Sequence, residues 1–258
     1  MNLSDKNIEI MELLAIYKFL TISQMVRLGV SEHKESIRRM LKRFNSTPKG
    51  LIAKKSFPVH YEKGRLEDIY SLTKKGAYFL ADVKDLEFNK IEYATGKKLF
   101  FHDYAHRIAT IDYHIQLREV LKEKNQTLDF IEFYFQKEGN NSTKNSKERL
   151  RAKTRIDFVD GGHITPDIIY KYSDQEEDYL FCVEILMDQD TNRALEQIDN
   201  HIVAITQGAV SDKYDFKRDN RVIYVFAENS TKDAIEKKFL NDSKYVKWVK
   251  YFIFSQYE

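Results

Sequence analysis

Ile164-Thr-Pro-Asp-Ile-Ile-Tyr170 and Tyr179-Leu-Phe-Cys-Val-Glu-Ile-Leu186 are two apolar runs, each interrupted by a single carboxylate. Short runs this rich in β-branched and aromatic residues read as strands buried on both faces. Asp167 and Glu184 therefore stand where the pattern asks for core. A carboxylate stripped of water must be paired, hydrogen-bonded or bound to a metal, or it protonates. The charged stretch between the runs, Ser173-Asp-Gln-Glu-Glu-Asp178, reads as the turn of an antiparallel hairpin, which sets the two carboxylates on adjacent strands. Such a pair suits Mg²⁺ or Mn²⁺, with waters and phosphate oxygens as further ligands, and a metal so held can assist an in-line phosphodiester displacement. The structural alternative has Asp167 capping a strand end and Glu184 paired with Arg155 or Arg193.

Outward from this hairpin, strands are expected over residues 128–136, 155–159, 221–227 and 249–255, with helices over 192–208 and 232–240. A long helix, about 99–124, precedes them, with Phe100, Tyr104, Ile108, Ile111, Ile115 and Leu117 toward the core. Gly139-Asn-Asn-Ser-Thr-Lys-Asn-Ser146 has no apolar anchor and reads as a mobile loop. The second half is thus expected to be a mixed sheet flanked by helices.

The first half has a different pattern. Ser4 caps an expected helix with Ile8, Met11, Leu14, Ala15 and Phe19 at helical spacing, and Thr21 caps a shorter one over 22–28. After Gly29-Val-Ser31 comes a third, about 32–45, burying Ile37, Met40, Leu41 and Phe44. A strand over 51–59, a polar tip at Tyr61-Glu-Lys-Gly-Arg65, a returning strand over 68–72 and a helix capped by Thr73 complete a winged helix-turn-helix. Residues 1–84 hold 16 Lys and Arg against 9 Asp and Glu, whereas the remainder holds 26 against 31. That asymmetry is expected of a nucleic-acid-binding module joined to a less basic domain. The third helix offers Lys34, Arg38, Arg39, Lys42 and Arg43 to duplex DNA, together with His33, and Lys54, Lys55, Lys63 and Arg65 extend the row along the wing. Glu32 and Glu35 dilute the helix front, so phosphate anchoring is expected to outweigh base readout. The expected organisation is an N-terminal DNA-binding domain at 1–84, a linker at 85–96 and a second domain at 97–258, an α+β chain overall.

Other functions are disfavoured. No apolar stretch approaches the length of a membrane span, and the N-terminus lacks a signal-peptide core, so a cytoplasmic protein without membrane contact is expected. The only cysteine, Cys182, rules out an intrachain disulfide and a cysteine-based zinc site. His102 and His106 share a helix face and are candidate metal ligands, although a plain core or surface pair explains them more simply. Tyr170 and Tyr224 are conceivable nucleophiles, but the abundant aromatic rings are more simply packing groups.

The chain resembles the replication-relaxation family of plasmid proteins, which includes MobC-type mobilisation proteins and relaxases. The resemblance rests on Phe19-Leu-Thr-Ile-Ser-Gln-Met25, the basic third helix, Gly50-Leu-Ile52 and Ile69-Tyr-Ser-Leu-Thr-Lys-Lys-Gly-Ala-Tyr-Phe-Leu80. It continues through Phe101-His-Asp-Tyr-Ala-His106, Thr165-Pro-Asp167 and Phe181-Cys-Val-Glu184. It implies a winged helix followed by a restriction-endonuclease-like domain of the PD-(D/E)XK type, origin binding, and metal-dependent nicking in the MobC branch. Other relaxosome proteins and a second copy of the chain are implied as possible partners. The resemblance assigns Asp167 and Glu184 as metal ligands and catalytic acids and brings in His102. The family's lysine position, however, is Leu186 here, which leaves Lys171 or Arg193 as substitutes and Asp188 or Asp190 as added ligands. Without that lysine, a catalytically silent DNA-binding initiator or repressor is the alternative.

Overall fold

The computed structural model describes residues 4–45, 50–60, 64–94, 101–139, 150–174 and 177–257, without the side chains of Asn45, His60, Phe101 and His102. Lys63, the His102 side chain and nearly all of the 139–146 loop therefore lie outside the described residues. By contact density the chain divides into Met1–Ile115 and Gln116–Glu258.

The first unit begins with α1 (Asp5–Tyr17), β1 (Leu20–Thr21), α2 (Ile22–Arg27) and α3 (Lys34–Asn45). The buried face of α1 is Asn7, Ile10, Met11, Leu14 and Tyr17, a phase set by the bulk of Ile10 and Tyr17, while Ile8 and Ala15 are only partly buried. Thr21 and Gln24 form a reciprocal capping box that satisfies two orphan backbone donors and fixes the start of α2. Ile37, Leu41 and Phe44 are buried on α3, leaving its charged side to water.

Next come β2 (Ile52–Lys55), β3 (Val59–His60), β4 (Gly64–Arg65), β5 (Ile69–Leu72) and α4 (Lys74–Lys84). The single strand expected over 51–59 is two pieces, with Pro58, which has no ladder N–H, in the break between them. A three-stranded antiparallel sheet runs β1-β5-β2, and β3 pairs β4 as a separate two-stranded hairpin. β1 escapes the sequence reading because two residues are too short to show alternation. The segment read as linker is packed among its described residues: Ile91 is buried, and Phe88 stacks on Tyr78 at 3.8 Å between centroids.

Helix α5 (Phe101–Glu123) contains the division between the units. After it come β6 (Thr127–Phe133), β7 (Lys137–Glu138), β8 (Arg151–Ala152), β9 (Ile156–Asp157) and β10 (His163–Ile164). Then follow β11 (Ile168–Ser173), β12 (Asp178–Leu186), α6 (Thr191–Thr206), α7 (Ala209–Lys213), β13 (Arg221–Phe226), α8 (Asn229–Asn241) and β14 (Phe252–Gln256). The main sheet has the order β14-β13-β12-β11-β6, antiparallel over β6-β11-β12 and parallel over β12-β13-β14. The α+β class with a mixed sheet flanked by helices is thus as expected. The run expected as one strand over 164–172 divides at Pro166 into β10 and β11. At the centre of the sheet, residues 180–186 of β12 are all buried. Alternate residues Leu180, Cys182 and Leu186 join Ala194 and Ile198 of α6 and Ile235 and Phe239 of α8 in one apolar core, which places Glu184 among them.

Candidate functional site

Asp167 immediately precedes β11, whose first pair is Ile168 with Val183, so Asp167 stands at the register position of Glu184. Pro166 keeps the chain here from continuing β10 into the ladder, and Asp167 completes it with its side chain: Oδ2 accepts from the Ile185 backbone N–H at 2.8 Å. Asp167 is 9 % exposed and Glu184 6 % exposed. On the other flank, the parallel register pairs Glu184 with Tyr224 of β13.

The partner of Glu184 comes from α6. His201 Nε2 lies 2.7 Å from Glu184 Oε1, and His201 is 1 % exposed. The distance is that of an ion pair, yet complete burial lowers the His201 pKa to about 3, against the opposing pull of the Asp167 charge. We therefore describe the contact as a hydrogen bond from a neutral imidazole N–H to a carboxylate. In that tautomer Nδ1 bears a lone pair, and among the described residues neither Nδ1 nor the buried Tyr224 hydroxyl has a hydrogen-bond partner. The rings of His201 and Tyr224 meet edge to face with centroids 6.0 Å apart. Burial first, then the Glu184 charge, drive the Tyr224 pKa far above its ordinary value, so the phenol is no ready nucleophile.

Asp167, Glu184, His201 and Tyr224 thus form one polar cluster under the apolar roof of α6. The sequence pointed to the two acids and offered Tyr224, with Tyr170, as a candidate nucleophile more simply read as a packing ring. His201 was missed, although a signal existed: Ala194, Ile198, His201 and Ile205 recur at helical spacing on the buried face of α6.

The other candidates lie elsewhere. Lys171 is four residues along β11, roughly 13 Å from Asp167 at strand rise, and its ammonium pairs with Asp178 at 2.8 Å and Asp129 at 3.2 Å. Arg193 pairs with Asp188 at 2.7 Å, and Asp190 caps α6 by accepting from the Arg193 backbone N–H. Arg155 is held by Asp157, so neither arginine weighed as a partner for Glu184 takes that place. Leu186, where the resemblance led a lysine to be expected, is buried. Asp167 and Glu184 share a register position on adjacent strands. Among the described residues no group of three or more His, Cys, Asp or Glu is placed so that it could hold a metal ion.

In the first unit, Lys34, Arg38, Arg39, Lys42 and Arg43 are exposed on α3. Arg38, Lys54 and Arg65 line one cleft of about 430 Å³ with Tyr70, Glu67 and Asp68. Acids partly neutralise this row: Lys54 pairs with Asp68 at 2.6 Å, Lys34 with Glu67 at 3.6 Å and Arg38 with Glu35 at 3.2 Å. Lys55 lies over the Phe57 ring at 5.0 Å. No described helix is long and apolar enough to cross a membrane.

Compared with known proteins, the chain matches a family model described as replication-relaxation over residues 11–202. No curated protein and no solved structure matches it.

Proposed function

The chain belongs to the replication-relaxation family, with a role in plasmid replication or mobilisation, and from that premise we propose that it binds duplex DNA at a plasmid origin and nicks it. DNA is gripped by the first unit and cleaved with a divalent cation, Mg²⁺ or Mn²⁺, held by Asp167 and Glu184. The observation that carries the reading is the placement of these two carboxylates at one register position of adjacent strands, on one face, beside orphaned polar atoms. Further support comes from the order of elements. A helix, three antiparallel strands, a helix and a parallel strand (α5, β6, β11, β12, α6, β13) follow the order of a PD-(D/E)XK nuclease. Helices α1 to α3 with the antiparallel sheet and the β3-β4 hairpin follow that of a winged helix. The exposed cations of α3 suit phosphate contacts, which position a protein on DNA more than they read sequence.

A bound cation would neutralise the charge that develops on the phosphate as the bond breaks. The chain's own part is orientation: the Ile185 N–H fixes one oxygen of Asp167, and His201 fixes one oxygen of Glu184. Leu186, buried where the resemblance led a lysine to be expected, favours a second reading, a DNA-binding initiator or repressor that does not cut.

Supercoiled plasmid carrying the cognate origin, incubated with Mn²⁺, separates the two. Open circles formed by wild type and not by Asp167→Ala or Glu184→Ala, with duplex binding retained in all three, are expected. Binding without nicking by any of them leaves the second reading.

A further inference from the structure

The family match ends at residue 202, and most of the surface described next is built by residues beyond it. Residues Val246–Tyr251 form a 3₁₀ helix. Three residues per turn align Trp248 with Tyr251 in one row and Lys247 with Lys250 in the next. The Trp248 and Tyr251 rings are 5.8 Å apart, Lys247 Nζ lies 5.4 Å from the Trp248 centroid, and Lys250 Nζ lies 4.7 Å from that of Tyr251. Among the described residues neither lysine has an acidic partner within ion-pair distance.

The row continues along one end of the main sheet. Val222 pairs with Phe252, which sets Arg221 flush with Tyr251, and the Arg221 guanidinium lies 5.6 Å from the Tyr179 ring centroid on β12. Tyr179, Trp248 and Tyr251 are part-exposed, and the three cations are exposed. Acids border one end of the track: Asp219 accepts from the Tyr251 hydroxyl at 2.8 Å, and Glu177 and Asp178 lie beside Tyr179 and Arg221, where Arg218 pairs with Glu177 at 2.7 Å. Three cations interleaved with three aromatic rings therefore run across the starts of three neighbouring parallel strands.

We propose that this cation and aromatic track of Tyr179, Arg221, Lys247, Trp248, Lys250 and Tyr251 binds single-stranded DNA. Unpaired bases have free faces that stack on rings irrespective of sequence, while the backbone follows the cations, a combination that duplex DNA, with its bases already stacked, cannot use. An acidic peptide would use the lysines without the ring row, whereas an anionic lipid surface would seat both and is separated from single-stranded DNA by competition with vesicles. The proposal stands independently of nicking, since none of these residues belongs to the Asp167 and Glu184 cluster.

Trp248 is the only tryptophan in the chain, so the track carries its own reporter. Titrating the full-length protein with a thymidine 20-mer at low salt is expected to quench tryptophan fluorescence. Lys247→Glu with Lys250→Glu is expected to weaken that binding at least tenfold at an unchanged melting temperature. Arg38→Glu with Arg39→Glu, on the other unit, is expected to leave the quenching intact. Poly-glutamate and anionic vesicles serve as competitors. Absence of quenching, quenching insensitive to the lysine reversals, or equal displacement by either competitor overturns the proposal.

Discussion

His201 holds Glu184 with one nitrogen, and among the described residues the other has no partner; the buried imidazole has measurable consequences. Its folded-state pKa lies far below the unfolded value, so between the two the unfolded chain binds the extra proton. Stability is therefore whole above about pH 6.5 and falls as pH drops toward 3, by an amount on the order of a few kcal/mol. Urea melts from pH 7 to pH 4 should show this loss in wild type and a shallower one in His201→Gln, whose amide donates to Glu184 without titrating. Equal slopes in the two proteins would mean that another group carries the acid sensitivity. His201→Ala removes the donor from a buried carboxylate and should cost roughly 3 kcal/mol at pH 7. At this scale the sequence was legible where a residue broke its pattern. Asp167 and Glu184 stood out because charge is foreign to an apolar strand, whereas histidine is common enough on a helix face that His201 did not. The alternative role for Asp167, capping a strand end, is what the Ile185 hydrogen bond displays, and this does not prevent the carboxylate from serving a cation as well.

Elements with strong local chemistry were legible almost to the residue. Thr73 begins α4 as expected: its hydroxyl accepts from the Gly76 N–H at 3.0 Å and donates to the Gly50 carbonyl at 2.8 Å. A thermal melt of Thr73→Ala should reveal a loss of about 1 kcal/mol. Gly76 is a tighter constraint that sequence did not reveal, because the reason is tertiary: a Cβ there would sit 2.1 Å from the Leu51 carbonyl oxygen. Gly76→Ala should therefore destabilise by roughly 2–3 kcal/mol despite alanine's better helix propensity. A neutral or stabilising outcome would show that α4 can shift away from β2. The expected strands that came out shorter failed for a common reason. Pro58 and Pro166 each interrupt a stretch read as one strand, and β1 exists only because β5 supplies its ladder partners. Within the polar segment over 85–96, Ile91 is buried and Phe88 stacks on Tyr78, contacts that polarity alone does not announce.

At the scale of the whole molecule, the charge asymmetry along the sequence separates a basic first unit, the one proposed to hold DNA, from a less basic second. The first carries its cations on the outer side of α3 and around one cleft, and several are shared with acids, so its hold on DNA should be moderate and strongly salt-dependent. Raising salt from 50 to 200 mM should weaken duplex binding by at least tenfold, and Arg38→Glu with Arg39→Glu should lower both affinity and the steepness of that dependence. Affinity unchanged by the reversals would move the duplex contact off α3. The second unit has a buried carboxylate pair within the sheet and a separate aromatic track at its end, features of different chemistry that substitutions can silence one at a time. The central claim concerns the pair, and manganese binding tests it without requiring turnover. Electron paramagnetic resonance of Mn²⁺ titrated into the full-length protein should report one bound ion per chain, lost in both Asp167→Asn and Glu184→Gln. Equal Mn²⁺ binding by wild type and both variants, or none by any of them, would contradict it.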